Sequence, residues 1–299
     1  MTLRVPARAK LNLHLQVMFP RPDGYHEIRT VFQTVDLADE VVLESAADGQ
    51  LVFRCDQPDV PTGEDNLCLK AARLLQAETG VRRGARITLR KQIPMQAGLG
   101  GGSADAAATL VGLMRLWDLA CASEDLLLWG GRLGSDVPFF LVGGTALGLG
   151  RGEELVPLPD APSRHVLLVC PPVAVSTAWA YGRLNFQLTT KGFVNKIPPL
   201  HRVLADGRMD AFRGVNDFEA AVFPEFPLLL HIKSQIADCG ADGTMMSGSG
   251  SSIYGLFDTA AACMEAERSL CRQSVPGRII RTRFIGRDEY RRNLFSHWN

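Results

Sequence analysis

Residues 96–110 read QAGLGGGSADAAATL, with glycine at positions 98, 100, 101 and 102. Glycine weakens the interior of either a helix or a strand, so this run has to lie between elements. Before it, ARITLRKQIP reads as a strand ending at Pro94; after it, SADAAATLVGLMRLW reads as a helix. A junction of this kind gathers the unpaired N–H groups and the positive end of a helix at one point, where phosphate binds. Glycines let the backbone come close to a ligand and adopt positive φ. Ser103 is a natural N-cap, with a hydroxyl suited to a phosphate or a metal, and Ala104, Ala106, Ala107 and Ala108 keep the first turns slim. The competing reading is a loose connecting loop. Neither GxxxxGK[ST] nor GxGxxG occurs, so this is not one of the common nucleotide loops.

Composition bounds the partners. The chain has 299 residues, 46% hydrophobic and 21% charged, enough for one large domain or two ordinary ones with a real core. Its 32 basic and 32 acidic residues cancel. Proteins that bind nucleic acid or anionic membranes draw affinity from a basic excess, so neither partner is expected, and no obligate protein partner is evident. No apolar run approaches the ~18 residues of a bilayer span; HVLLVCPPVAV is short and broken by Pro171 and Pro172. Seven cysteines without a CxxC pair argue against a disulfide framework or zinc site and for a reducing cytoplasm. The N-terminal residues show no signal or transit segment, which leads to the expectation of a bacterial rather than a plastid protein.

Near the start, LNLHLQV alternates. Leu11, Leu13, Leu15 and Val17 point one way, and Lys10, Asn12, His14 and Gln16 the other, as in a half-buried strand whose polar face is either solvated or functional. Pro22, Asp23 and Gly24 form a turn before Tyr25 and His26. VFQTVDLADEVVLES and LVFRC read as strands, NLCLKAARLLQAETG as a helix stopped by Gly80, and SEDLLLWGGRL as a helix capped by Ser123. GSDVPFF reads as a turn into an apolar segment, and GGTALGLG as a Gly-rich strand. The cluster PLPDAPSR reads as a linker, giving domains at 1–160 and 161–299. The second half reads as a strand (HVLLVC), a helix from Ser176, an irregular Pro-containing stretch and a helix in FPLLLHIKSQIADCG. Strands TMM and IYGLF then flank the turn SGSGSS, followed by a helix (TAAACMEAERSL) and a last strand (RIIRTRFI). That half is α+β, with helices on one side of a largely antiparallel sheet. His14, His165, His201, His231 and His297 lack metal-ligand spacing.

PMQAGLGGGSADAA resembles the ATP-phosphate loop of the GHMP small-molecule kinases, P-x-x-x-G-L-G-[GS]-[GS]-[SA]. ARAKLNLHLQV resembles the N-terminal motif of that superfamily and MMSGSGSSIYGLF its C-terminal glycine motif, in the same order along nearly the whole chain. Together with RPDGYH and GSDVPFF, these blocks are similar to the branch that phosphorylates 4-diphosphocytidyl-2-C-methyl-D-erythritol (CDP-methylerythritol) in non-mevalonate isoprenoid synthesis. RPDGYH is the discriminating block. Gln96 departs from a frequent glycine and Ser135 from a frequent alanine. The resemblance implies a two-domain α+β GHMP-kinase fold, with a ferredoxin-like C-terminal domain and the active site in the cleft. It also implies ATP and Mg²⁺ as cofactors. Kinases of homoserine, mevalonate or a sugar, and a catalytically inactive nucleotide-binding relative, stand as alternatives.

The same resemblance implies the roles. Asp136 takes the proton of the substrate 2-hydroxyl and Lys10 neighbours it, as suits a carboxylate base held ionised by an ammonium. Without the resemblance, Lys10 is a strand lysine and Asp136 a turn residue. Asn12 meets the methylerythritol hydroxyls. His26 reads cytosine by its edge, between Tyr25 and Tyr181 as stacking faces; Phe32 lines the pocket. Asn66, Leu67 and Lys91 surround adenine. Pro94 is a further ATP-binding position; Gly98, Leu99, Gly100, Gly101, Gly102 and Ser103 hold the phosphates, and Gly248, Ser249 and Gly250 form a turn set against them. Ser103 is the candidate protein ligand for the metal; the sequence names no other.

Overall fold

The alternating N-terminal segment runs as one long strand, β1 (Thr2–Pro20), which pairs antiparallel with β2 (His26–Ala46) across the turn at 21–25. The computed structural model describes residues 1–47, 49–184 and 214–295. Most of the Pro-containing stretch, His201 and His297 lie outside them. β2 carries β1 along one edge. Along the other it carries β4 (Gly84–Arg90) through Glu40–Ala46 and β5 (Thr145–Leu149) through Thr30–Gln33. β3 (Leu51–Cys55), parallel to β4, and β6 (Glu154–Pro157) complete a six-stranded sheet.

Four helices follow from this half of the chain: α1 (Leu67–Thr79), α2 (Gly101–Leu116), α3 (Ser123–Leu133) and α4 (Val137–Val142). α1 starts where the Asn66 side chain accepts hydrogen bonds from the Cys68 and Leu69 N–H groups, and it stops at Gly80, which is left-handed at φ 68°. α2 is buried on nearly every face between α1, α4 and the sheet, which its run of alanines permits without overpacking. Three expectations are corrected. α2 begins at Gly101 with Gly100 in the cap position, so Ser103 lies inside the first turn and does not cap it. Ser123 is the first residue of α3 rather than its cap. The apolar segment after Asp136 is itself a helix, α4, with Pro138 in its first turn.

The second sheet has the order β10-β7-β9-β8 and is antiparallel throughout. Its strands are β7 (His165–Cys170), β8 (Gly243–Met246), β9 (Ile253–Phe257) and β10 (Arg278–Arg283). Helices α5 (Thr177–Arg183), α6 (Phe218–Glu225), α7 (Pro227–Asp238) and α8 (Ala260–Arg272) accompany it. α6 and the last helix, α9 (Arg287–Leu294), had no counterpart in the sequence reading.

Three apolar clusters join these layers. One lies under the first sheet and includes Ile285, Tyr290 and Leu294 from the chain's last segment. One lies under the second sheet and includes Leu15, Val17 and Ile28 from the tip of β1–β2. The third sits between the sheets and joins Ala9, Leu11 and Leu13 of β1, Ala97 and Leu99 of the glycine loop, and Leu168 and Tyr254. Leu11 and Leu13 are fully buried there, worth ~1.5–3 kcal/mol each. The opposite face of β1 is not solvated, because Lys10, Asn12 and His14 are buried too.

Candidate active site

β1 is irregular where the site lies. Its register with β2 shifts between Arg8 and Lys10 and again between Asn12 and His14, and such bulges redirect side chains. The Lys10 N–H donates to Leu99 O at 3.0 Å, which ties β1 to the glycine loop. The loop is bolted from the other side by the turn between β8 and β9. Ser247 Oγ donates to Gly98 O at 2.9 Å, and Ser252 N to Ala97 O at 3.3 Å. Asn216, absent from the sequence reading, holds that turn by donating from Nδ2 to Met246 O and Gly248 O, 2.8 Å each.

Within the loop, Gly98 (φ 73°) and Gly100 (φ 70°) are left-handed. A Cβ on Gly98 would lie 2.0 Å from Ser247 O, and one on Gly100 2.7 Å from the Phe140 ring. Both positions therefore exclude any other residue on two grounds.

Two cavities meet at this loop. One, of about 720 Å³, is lined by Asn66, Leu67, Lys91, Pro94 and the loop from Gly98 to Ser103. It thus collects every residue expected around ATP. The Asn66 side chain is committed to capping α1. The Lys91 ammonium is bound by the buried carboxylates of Asp39 and Asp105. Asp39 also accepts from the Ile93 N–H at 2.8 Å, so this triad fixes the strand-to-loop corner. Burial pushes the Asp105 carboxyl well above the usual range, against the pull of Lys91.

The other cavity, of about 930 Å³, is lined by Lys10, Asn12, Tyr25, His26, Phe32, Asp136 and Tyr181. Every acceptor-side residue expected from the sequence is therefore on one surface. Gly98 and Gly100 line both cavities. The Lys10 ammonium lies 3.7 Å from Asp136 Oδ2 and donates to Asn12 Oδ1 at 2.6 Å. Asn12 Nδ2 donates to Thr30 Oγ1 (2.7 Å), and Thr30 donates to His14 O (2.7 Å). This chain fixes which end of the Asn12 amide meets Lys10. Burial pushes the Lys10 ammonium down from its ordinary value, and Asp136 opposes that shift. Asp136 occupies the cap position of α4 without a side-chain cap bond, which leaves its carboxylate facing Lys10 and the cavity.

The aromatic residues differ in detail from the expected clamp. Tyr181 stacks on His26, with centroids 4.8 Å apart and planes at 13°, and meets Phe218 edge-on at 4.9 Å. Tyr25 is exposed, and the Arg151 guanidinium lies 4.7 Å from its ring centroid.

Family models for the GHMP kinases N terminal domain and the GHMP kinases C terminal match residues 66–144 and 204–273. A 4-diphosphocytidyl-2-C-methyl-D-erythritol kinase from Solibacter usitatus (strain Ellin6076) is 46% identical over 267 residues, 87% of this chain and 83% of that protein. One from Synechococcus sp. (strain JA-2-3B'a(2-13)) is 42% identical, covering 89% of each. The chain belongs to the 4-diphosphocytidyl-2-C-methyl-D-erythritol kinase family of GHMP kinases. A crystal structure of a 4-(cytidine 5'-diphospho)-2C-methyl-D-erythritol kinase superposes with TM-score 0.80 at 34% identity, over 95% of this chain and all of that one. Homoserine kinase from Cytophaga hutchinsonii, at TM-score 0.76 and 20% identity, shares the fold.

Besides Asn216, two residues that line the acceptor cavity, Arg151 and Thr177, escaped the sequence reading. Thr30 is a position of the same sequence block as RPDGYH, to which the sequence assigned no role of its own. Arg151 is followed closely by Glu153 and Glu154, the pattern of a solvated ion pair. Thr177 Oγ1 and Ser249 Oγ lie 2.8 Å apart on the cavity wall, from positions far apart in the chain. Among the described residues, no group of three or more His, Cys, Asp or Glu is placed to hold a metal, and no helix is long and apolar enough to cross a membrane.

Proposed function

We propose that this kinase transfers the γ-phosphoryl group of ATP to the 2-hydroxyl of CDP-methylerythritol, giving the 2-phosphate and ADP in the non-mevalonate pathway. The observation that carries the reading is the shared wall. Gly98 and Gly100 border both cavities, so phosphates cradled by the loop abut an acceptor beside Lys10 and Asp136. The acceptor oxygen attacks the γ-phosphorus, the bond to the β-phosphate bridging oxygen breaks, and the proton passes to Asp136 Oδ2. Lys10 keeps Asp136 ionised and offsets charge on the transferring group. Asn12 and Thr30 hold Lys10 in line. His26 and Tyr181 form the base site, with Tyr25 as the second stacking face and Phe32 as lining. Asn66, Leu67 and Pro94 border the adenine side, and Lys91 supports the loop through Asp39 and Asp105.

Mg²⁺ would neutralise charge on the β- and γ-phosphates. The donors fit an ion held mainly by phosphate and water. Among the described residues, Ser103 Oγ has no protein hydrogen-bond partner, no group of three or more His, Cys, Asp or Glu is placed to hold a metal, and the nearby Asp39 and Asp105 are engaged by Lys91. The two sheets support domains divided at 160/161. Seven unpaired cysteines support a cytoplasmic location.

A cavity of about 930 Å³ with an aromatic cluster exceeds what homoserine or mevalonate requires, which favours the cytidine substrate over those of the other GHMP kinases. The test is ADP release from ATP with CDP-methylerythritol, set beside homoserine, mevalonate and galactose. Turnover with one of the last three and none with the first would overturn the assignment.

A further inference from the structure

The acceptor proposed above carries a diphosphate between its base and the alcohol that reacts. With the base at Tyr25 and His26 and the hydroxyl at Asp136, that dianion lies along the cavity between them. Among the described residues lining the cavity, the lysine and arginine side chains are Lys10 and Arg151. Lys10 is committed to Asn12 and Asp136 at the reacting end. Arg151 is at the base end, with its guanidinium over Tyr25 at 4.7 Å. A single carboxylate, Glu153, holds it twice: Oε1 accepts from Nε at 2.9 Å and Oε2 from the Arg151 backbone N–H at 2.7 Å. The nearby Asp23 is turned to Arg21 and to the Tyr25 N–H. The two terminal nitrogens of Arg151 therefore make no hydrogen bond among the described residues. A guanidinium fixed along one edge, with its fork open to a cavity, is the geometry that receives phosphate oxygens in pairs.

We infer that Arg151 binds the diphosphate of the acceptor and makes this kinase select a nucleoside-diphosphate-linked alcohol over the free alcohol. The inference rests on the cytidine-substrate reading and adds a residue to it. Glu153 positions the fork, and Tyr25 shares its faces between the guanidinium and the base.

The test compares cytidine, CDP and a non-hydrolysable ATP analogue by calorimetry on the whole enzyme, for wild type, Arg151→Gln and Arg151→Lys. Charge-assisted hydrogen bonds to phosphate predict a roughly tenfold to hundredfold loss of CDP affinity in Arg151→Gln. The affinities for cytidine and for the ATP analogue stay in place, and Arg151→Lys recovers part of the loss. In the wild type, added salt weakens CDP binding and spares cytidine. An equal loss for cytidine and CDP overturns the inference, because Arg151 would then act only by supporting the Tyr25 ring. Unchanged CDP affinity overturns it as well, while leaving the substrate reading intact. Wild-type protein that binds neither cytidine nor CDP overturns both. Arg151→Lys keeps the charge but not the planar fork, so a CDP-specific loss in that variant keeps the inference testable even if Arg151→Gln folds poorly.

Discussion

The two cavities are built from different materials. The nucleotide side is mostly backbone: a short run of glycines at the start of α2, contiguous in sequence and clamped from both sides by main-chain contacts. The acceptor side is mostly side chain, drawn from β1, β2, the start of α4, the β5–β6 turn and α5. Backbone recognition suits a phosphate chain common to many kinases. Side chains supply what is particular to one acceptor. Damage to the acceptor wall should therefore change chemistry or selectivity, and damage to the loop should change nucleotide affinity.

The largest expected effect breaks the acceptor side at its reacting end. Asp136→Asn keeps size and one acceptor oxygen but takes no proton. Loss of a general base costs ~10²–10⁴ in kcat, whereas calorimetry should find both ligands bound nearly as before. In a loose phosphoryl-transfer transition state the base contributes less than positioning, which points to the lower end of that range. Near-full kcat in this variant would move the proton to a phosphate oxygen or to water.

Next comes the backbone wall. Val at Gly98 or Gly100 would disturb Ser247 or Phe140 as well as the ligand. Gly102 is the cleaner probe, since its φ is not left-handed and an added Cβ would meet only Leu67 Cδ1, at 3.5 Å. Gly102→Val should keep the unfolding midpoint and put a branched side chain into the cavity proposed to take the phosphates. Overpacking of ~1–3 kcal/mol predicts about tenfold or more loss of ATP affinity, with cytidine binding unchanged. Normal ATP affinity would return the loop to a mere connection.

A smaller effect is expected for Tyr25→Ala. Stacking on a base is worth ~1–3 kcal/mol, and Tyr25 is exposed, so little stability is lost with it. Cytidine affinity should fall and ATP affinity should not. The reverse pattern would exchange the ligands of the two cavities.

The same contrast explains what could be read from the sequence. The loop was legible because strand, glycines and helix are contiguous, and each sets the local backbone. The alternation in LNLHLQV separates two faces of β1, but it does not say that α4, the glycine loop and β2 bury the second. That burial takes Lys10 and Asn12 off the surface and sets them on the wall of a cavity. α4 was hidden because its six residues are bounded by Asp136 and Gly143 and too short to show a period. α9 was hidden because RDEYRRNL offers only Tyr290 and Leu294 as buried positions. The ion pair of Arg151 with Glu153 is local, but its contact with Tyr25 joins distant positions and leaves no trace in local spacing. The acceptor roles came from resemblance, whereas phosphate binding at the loop was an expectation of physical chemistry, set beside a loose connection, before any family was in view.

The smallest effect sharpens the comparison at the corner of the loop. Gln96 is left-handed at φ 52° although it is not glycine, and its side chain is exposed. An L-residue in that region costs ~1–2 kcal/mol. Glycine removes the strain but adds freedom to the unfolded chain, which returns ~0.4–1 kcal/mol of it. Gln96→Gly should therefore stabilise the protein by up to ~1 kcal/mol, a rise of about 1–3 °C in Tm for a chain of this size. If the nucleotide wall is truly backbone, ATP affinity stays where it was, because the loop keeps its path and loses only an exposed amide. A fall in Tm would show that the Gln96 side chain holds the corner. A fall in ATP affinity with Tm raised would show that the strained residue keeps the loop rigid enough to bind, so that the backbone cradle depends on a side chain after all.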